Sequence, residues 1–231
     1  MKSVLISIQP KWCKKIANGE KTIEVRKTAP KEVPFKCYIY CTKSDVHNAL
    51  VIGGCDAELI YCCNYNSAIP VGGVIGNGKV IGEFVCDKIT TYVGEFWDDE
   101  TAEEVRERYE PSDFNEYGEY EYPLLSSSDN DDEPLKGSGL SWEDCREYFG
   151  EGDCTFYGWH ITDLKIYDLP KELSEFRKPC PFQSEDCEEY CKYADLRIHT
   201  AGTDELIEVV GCNNRVTRPP QSWQYVEEIK K

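Results

Sequence analysis

Gly19-Glu20-Lys21-Thr22-Ile23-Glu24-Val25-Arg26 joins a predicted helix to a predicted strand. Upstream, Pro10 to Asn18 predicts a short helix: Pro10 suits the first helical position, Trp12 and Ile16 lie on one face at i, i+4, and Gly19 is the stop. From Thr22 to Arg26 the pattern alternates, which sends Ile23 and Val25 to a core and puts Thr22, Glu24 and Arg26 on the opposite face. An ammonium, a hydroxyl, a carboxylate and a guanidinium thus gather at one junction. That mixed donor and acceptor set suits the edge of a nucleobase, or a phosphate together with a base. The same pattern also fits a solvated strand face closed by a Glu24 to Arg26 ion pair.

Working outward, Lys2 to Ile8 alternates Val4, Ile6 and Ile8 and predicts a first strand. Phe35 to Cys41 predicts another, with β-favouring residues throughout. Ser44 to Asn77 loses periodicity and reads as an insertion ending in the Gly76-Asn77-Gly78 turn, after which Lys79 to Val93 predicts one or two strands. Thr101 to Tyr109 has the cap and acidic first turn of a helix. No element is predicted from Pro111 to Gly139, and Ser126 to Glu133 reads as disordered. Ser141 and Asp144 form a capping box for a helix with Trp142, Cys145 and Phe149 on one face and a stop at Gly150. Thr155 to Asp168 reads as strand with a turn at Asp163, and Leu169-Pro170 as the start of a helix over Lys171 to Phe176.

The chain has 231 residues, enough for a sizeable core in one or two domains. Hydrophobic content of 40% and charged content of 30% fit a soluble globular protein. No apolar run is long enough to span a membrane, and Met1 to Ile8 is too short and interrupted for a signal peptide, so a cytoplasmic location is expected. The net charge of -17 argues against general double-stranded DNA binding. The average conceals an asymmetry. Residues 1 to 36 carry a balance of +6, and residues 95 to 133 carry -14. The acidic part reads as a solvated insertion, or as a surface for a basic protein partner.

Gly19, Lys21, Glu24 and Arg26 spell G-x-K-x-x-E-x-R, and on that motif the chain resembles the ASCH family, a PUA-like group. Supporting stretches are Leu5 to Trp12, Val80 to Phe84, Tyr157-Gly158-Trp159-His160-Ile161 and, more weakly, Arg218 to Trp223, all similar to ASCH proteins of Gram-positive bacteria and their phages. The likeness covers about residues 1 to 43, 78 to 93, 153 to 168 and 216 to 229. It implies an α+β fold, a small PUA-like β-barrel with flanking helices, here carrying inserted loops and a Cys-rich C-terminal insertion. The expected organisation is an ASCH domain over 1 to 168 with insertions at about 44 to 77 and 95 to 139, the Cys-rich insertion over 169 to 215, and a C-terminal strand within 216 to 231 returning to the barrel.

The resemblance implies that the barrel cleft binds RNA or a modified nucleoside. Lys21 and Arg26 would supply charge and donors, Thr22 a hydroxyl, Glu24 an acceptor, and Trp12 or Trp159 a stacking ring. It also implies an alternative. Some small ASCH proteins are amidohydrolases that remove the acetyl group from N4-acetylcytidine with a Lys, a Thr and a Glu. The lysine carries over to Lys21, but the family's threonine, three residues later, is Glu24 here; Glu83 is the candidate for the partner glutamate. The catalytic candidates are therefore Lys21 and Glu24. Ribonuclease activity, reported for other relatives, is a further alternative.

Thirteen cysteines without a secretion signal suggest reduced thiols with a metal site rather than a disulfide scaffold. Cys180, Cys187, Cys191 and Cys212 are spaced C-x6-C-x3-C-x20-C. Four thiolates so placed would satisfy structural zinc, with His199 as a substitute ligand; an iron–sulfur cluster, or no metal, also fits. The other cysteines suggest no nucleophile, and His160 reads first as a satisfied strand residue. There is no G-x-x-x-x-G-K-[ST], G-x-S-x-G or H-E-x-x-H motif.

Overall fold

The computed structural model describes residues 2–43, 48–53, 56–61, 73–96, 125–127, 135–150, 152–180, 194–201, 204–212 and 214–229. Its chain divides into two units, one of Met1–Lys14, Phe35–Phe84 and Leu164–Lys231, the other of Lys15–Pro34 and Val85–Asp163. It is an α+β chain, mostly strand, with two α-helices among the described residues.

In the first unit, β1 (Lys2–Ile8) is buried from Ser3 onward, so both its faces are covered. It pairs in parallel with β3 (Phe35–Cys41), from Lys2 opposite Phe35 to Ile8 opposite Cys41. On its other side it pairs antiparallel with β14 (Trp223–Val226). With β7 (Val80–Cys86) and β11 (Thr162–Lys171) these make a five-stranded sheet in the order β11-β7-β3-β1-β14. The core on one side gathers Leu5, Tyr38, Tyr40, Val80, Phe176, Val216 and Val226. Phe176 meets Tyr38 edge-on at 5.0 Å between ring centroids, a favoured aromatic geometry.

Two sequence expectations change in this unit. Among the described residues of 44 to 77 stand three strands, β4 (Asn48–Gly53), β5 (Asp56–Tyr61) and β6 (Val74–Ile75), in the order β5-β4-β6. Ala49, Leu50, Val51 and Ile52 are all buried, and a strand covered on both faces shows no period-2 signal. The helix expected over Lys171 to Phe176 is a 3-10 turn at Leu173–Glu175, because β11 continues through Pro170 to Lys171. β11 is the sheet's edge strand, where a proline costs no ladder bond. Further along, β12 (Ala194–Ala201) and β13 (Asp204–Cys212) form an antiparallel pair that the sequence reading did not anticipate. Cys187 and Cys191 lie outside the described residues. Among the described residues no three His, Cys, Asp or Glu side chains are grouped to hold a metal.

In the second unit, β2 (Ile23–Arg26), β10 (Gly152–His160), β8 (Ile89–Phe96) and β9 (Leu125–Ser127) form a four-stranded sheet in that order. α2 (Trp142–Phe149) begins with the predicted box: Ser141 Oγ accepts from Asp144 N at 3.1 Å, and Asp144 Oδ2 accepts from Ser141 N at 3.0 Å. Val25, Tyr92, Cys145 and Phe156 make the core. Phe156 stacks on both Tyr92, at 5.1 Å, and Phe149, at 4.4 Å. Gly158 is required here, since a Cβ on it would sit 2.7 Å from the Tyr92 ring. β9 takes Ser126 and Ser127 out of the patch expected to be disordered; its pairing with Tyr92 to Gly94 uses backbone and is indifferent to polar side chains. The helix expected over Thr101 to Tyr109 and most of the acidic stretch lie outside the described residues.

Among the described residues the ladders make four separate sheets, so the closed barrel that the resemblance implied is not formed. No helix among them is long and apolar enough to cross a membrane.

Candidate functional site: a buried Lys21, Glu24 and Arg26 cluster

The junction forms as its residues dictate. α1 (Pro10–Ala17) ends at Gly19, whose φ of 74° is the left-handed conformation glycine adopts without strain. Gly19 N donates to Ile16 O, and Glu20 N and Lys21 N both donate to Lys15 O at 2.8 and 3.0 Å, which satisfies the last carbonyls of the helix. The chain then enters β2, the edge strand of its sheet. A strap over residues 135 to 140 covers that edge. Gly137 O accepts from Thr22 N at 2.7 Å and from Ile23 N at 3.0 Å. The next two carbonyls of the strap take lysine ammoniums: Ser138 O from Lys21 Nζ at 2.5 Å, and Gly139 O from Lys15 Nζ at 2.9 Å.

The polar face of β2 is buried, contrary to the solvated alternative. Lys21 is 2% exposed, Glu24 5% and Arg26 7%. Glu24 lies between two cations: its Oε1 is 2.8 Å from Arg26 Nη2, and its Oε2 is 3.5 Å from Lys21 Nζ. Burial pushes the Lys21 pKa down from its ordinary value, with Arg26 and Lys15 adding to the fall and Glu24 opposing it. A buried ammonium loses hydration, which favours the neutral amine. The cluster carries one more positive than negative charge, and it offers amine, guanidinium and carboxylate within one small volume.

Trp159 stands directly opposite Glu24 in the β10–β2 ladder and is fully buried. It faces the cluster from the neighbouring strand. Thr22 is exposed and holds the edge of β2 with its backbone, accepting from Ile161 N at 2.9 Å. His160 falls on the other face of β10, with Nε2 2.9 Å from Thr90 Oγ1. Trp12 and Glu83 belong to the first unit. Trp12, on α1, carries Lys11 Nζ 4.4 Å above its ring. Glu83 accepts from Tyr167 Oη at 2.6 Å and lies 3.8 Å from Lys36 Nζ. Cys180 is partly exposed, with its N–H directed at Glu227 Oε1 at 3.3 Å. The side chains of Cys212 and His199 are outside what the structure describes. Cys86 and Cys145 are free thiols pushed up to about 12 by burial, so neither is a thiolate nucleophile near neutral pH.

Sequence reasoning missed the strap. Gly137, Ser138 and Gly139 sit in a stretch without periodicity, and the only trace of their role is a pair of glycines, 137 and 139, both at positive φ.

No family model matches the chain, and no curated protein matches it. Among solved structures it is similar to the ASCH protein of Zymomonas mobilis, at 17% identity, with a TM-score of 0.38 and coverage of 74% of each chain. Two single-residue mutants of that protein match alike, at 18% and 17% identity with TM-scores of 0.38 and 0.37; one covers 75% of this chain and 77% of its own, the other 74% and 75%.

Proposed function

We propose that the chain is an ASCH-type binding module that holds RNA or a modified nucleoside at the Lys21, Glu24 and Arg26 cluster. The observation that carries this reading is the burial together of three charged side chains, Glu24 and Arg26 on the edge strand β2 and Lys21 just before it. Removing a charge from water costs several kcal/mol even after relaxation, and one carboxylate offsets only part of that for two cations. Such a cost, kept in one place, makes the cluster a functional-site candidate. The set matches a nucleobase edge: Glu24 accepts from an exocyclic amine, and Lys21 and Arg26 donate to carbonyl or phosphate oxygen. The motif's likeness to ASCH sequences, including those of Gram-positive bacteria and phages, points the same way, and the same reading places the protein in the cytoplasm.

A screen of nucleosides, modified nucleosides and short RNAs by thermal shift tests it. A ligand at 100 times its dissociation constant stabilises the fold by about 2.7 kcal/mol, and Glu24→Ala should abolish the shift. Absence of any shift, or a shift that survives Glu24→Ala, overturns the reading.

A second reading is favoured by one observation, the lowered pKa of Lys21. An amine that is neutral more of the time is a better base for a hydrolytic step, as in the amidohydrolases of N4-acetylcytidine. Against it stand Glu24 at the threonine position and the engagement of the Glu83 carboxylate with Tyr167 and Lys36. Cytidine released from N4-acetylcytidine by wild type and not by Lys21→Ala would establish hydrolysis; no release removes it.

A further inference from the structure

The face of the four-stranded sheet that carries Glu24 and Arg26 can be followed row by row, because residues paired directly across antiparallel strands share a face. The first row is Glu24, Trp159 and Ile89; the second is Arg26, Tyr157 and Thr91; the next is Thr155, Val93 and Ser126. Along β10 and β8 the later rows are the more exposed. Trp159 is fully buried, Tyr157 and Thr91 are half-buried, Thr155 is exposed and Val93 is 52% exposed. The opposite face is the core under α2, formed by Val25, Phe156, Tyr92 and Cys145. The charged cluster thus lies at the closed end of a sheet face that opens toward Val93, and Tyr157 stands at the transition, beside Arg26.

We infer that Tyr157 is the stacking platform of the site: a flat heterocycle, the base of a nucleotide, lies on its ring with its polar edge toward Arg26 and Glu24. This rests on the ligand-binding reading given above and names the part of the ligand that the open rows receive. Three considerations carry it. Trp159 has no exposed surface to offer, so an aromatic contact on this face falls to Tyr157. A tyrosine ring restricts only two torsions on binding, and every base presents a π-face to it. Arg26 in the same row, held by Glu24, sets a planar cation at the edge of that platform.

The test is titration of wild type, Tyr157→Ala and Tyr157→Phe with the four nucleoside 5′-monophosphates and N4-acetylcytidine, and with ribose 5-phosphate as a base-free probe. Loss of a base–aromatic stack weakens binding by about tenfold or more. Tyr157→Ala should show that loss for the base-containing probe that wild type binds, Tyr157→Phe should retain wild-type affinity, and any binding of ribose 5-phosphate should be equal in all three. Wild-type affinity in a folded Tyr157→Ala, or an equal loss for ribose 5-phosphate, overturns the platform and leaves the cluster standing. Wild type that binds none of these probes overturns the platform, and the cluster reading falls with it when the short RNAs of the screen above give no shift either.

Discussion

Lys21 is where the cost of the site is concentrated. Its ammonium is buried, accepted by one backbone carbonyl and one carboxylate, and set near two other cations. The pKa is lowered in the folded state, so the unfolded chain binds more protons between that value and the ordinary 10.5. Stability contributed through Lys21 therefore rises with pH across that window and is lowest below it. The expected result is that Lys21→Met, which removes the titrating group, gains most over wild type at the acidic side of the window and progressively less as pH approaches 10.5. Denaturant unfolding of both proteins across that range checks it. A difference that grows with rising pH would contradict the burial argument.

At the scale of elements, the strap over residues 135 to 140 decides how Lys21 is presented. Three successive carbonyls accept from the backbone of β2 and from two lysines, and this ordering depends on the close approach of Gly137 to Thr22. Gly137 has a φ of 81°, and a Cβ there would run into Thr22 Oγ1. Gly137→Ala should therefore cost about 2 kcal/mol or more, from the left-handed backbone and the collision together. It should also speed acylation of the Lys21 amine by a water-soluble reagent, read by mass spectrometry of the modified peptide. Gly150→Ala is the control: its φ of 89° strains the backbone after α2, but a Cβ there meets nothing within 4 Å. It should lose stability without changing Lys21 labelling. Equal labelling in wild type and Gly137→Ala would show that the strap does not shield the amine.

For the molecule as a whole, the net charge of -17 and the buried positive cluster act on different ranges. An anionic RNA approaching the chain meets the summed negative field first, and reaches the cations only at contact. Raising ionic strength from about 0.01 M to about 0.15 M shortens the screening length from about 30 Å to about 8 Å. The association rate with a short RNA should therefore rise or stay level with salt, where a basic RNA binder slows. An uncharged nucleoside should show no dependence. A steep fall in the RNA rate with salt, measured by stopped flow, would mean that a basic surface guides the encounter after all.

What the sequence determined by itself are the features set by near neighbours along the chain. The stop of α1 at Gly19, the strands Lys2–Ile8 and Phe35–Cys41, and the capping box of Ser141 and Asp144 depend on residues two to four apart, and their patterns survive in one dimension. β4 was illegible because burial on both faces erases alternation. The strand at 194 to 201 does alternate, Leu196 and Ile198 with Asp195, Arg197 and His199, but its pairing with 204 to 212 is written in neither stretch alone. The motif supplied Lys21, Glu24 and Arg26, yet nothing local said that they are buried. Tertiary structure alone decided that, by bringing Ser138 onto Lys21 across 117 residues and by pairing β2 with β10, which sets Trp159 behind Glu24 and Tyr157 beside Arg26. Register between distant strands is chosen by the packing of whole faces, and no short stretch of sequence contains that information.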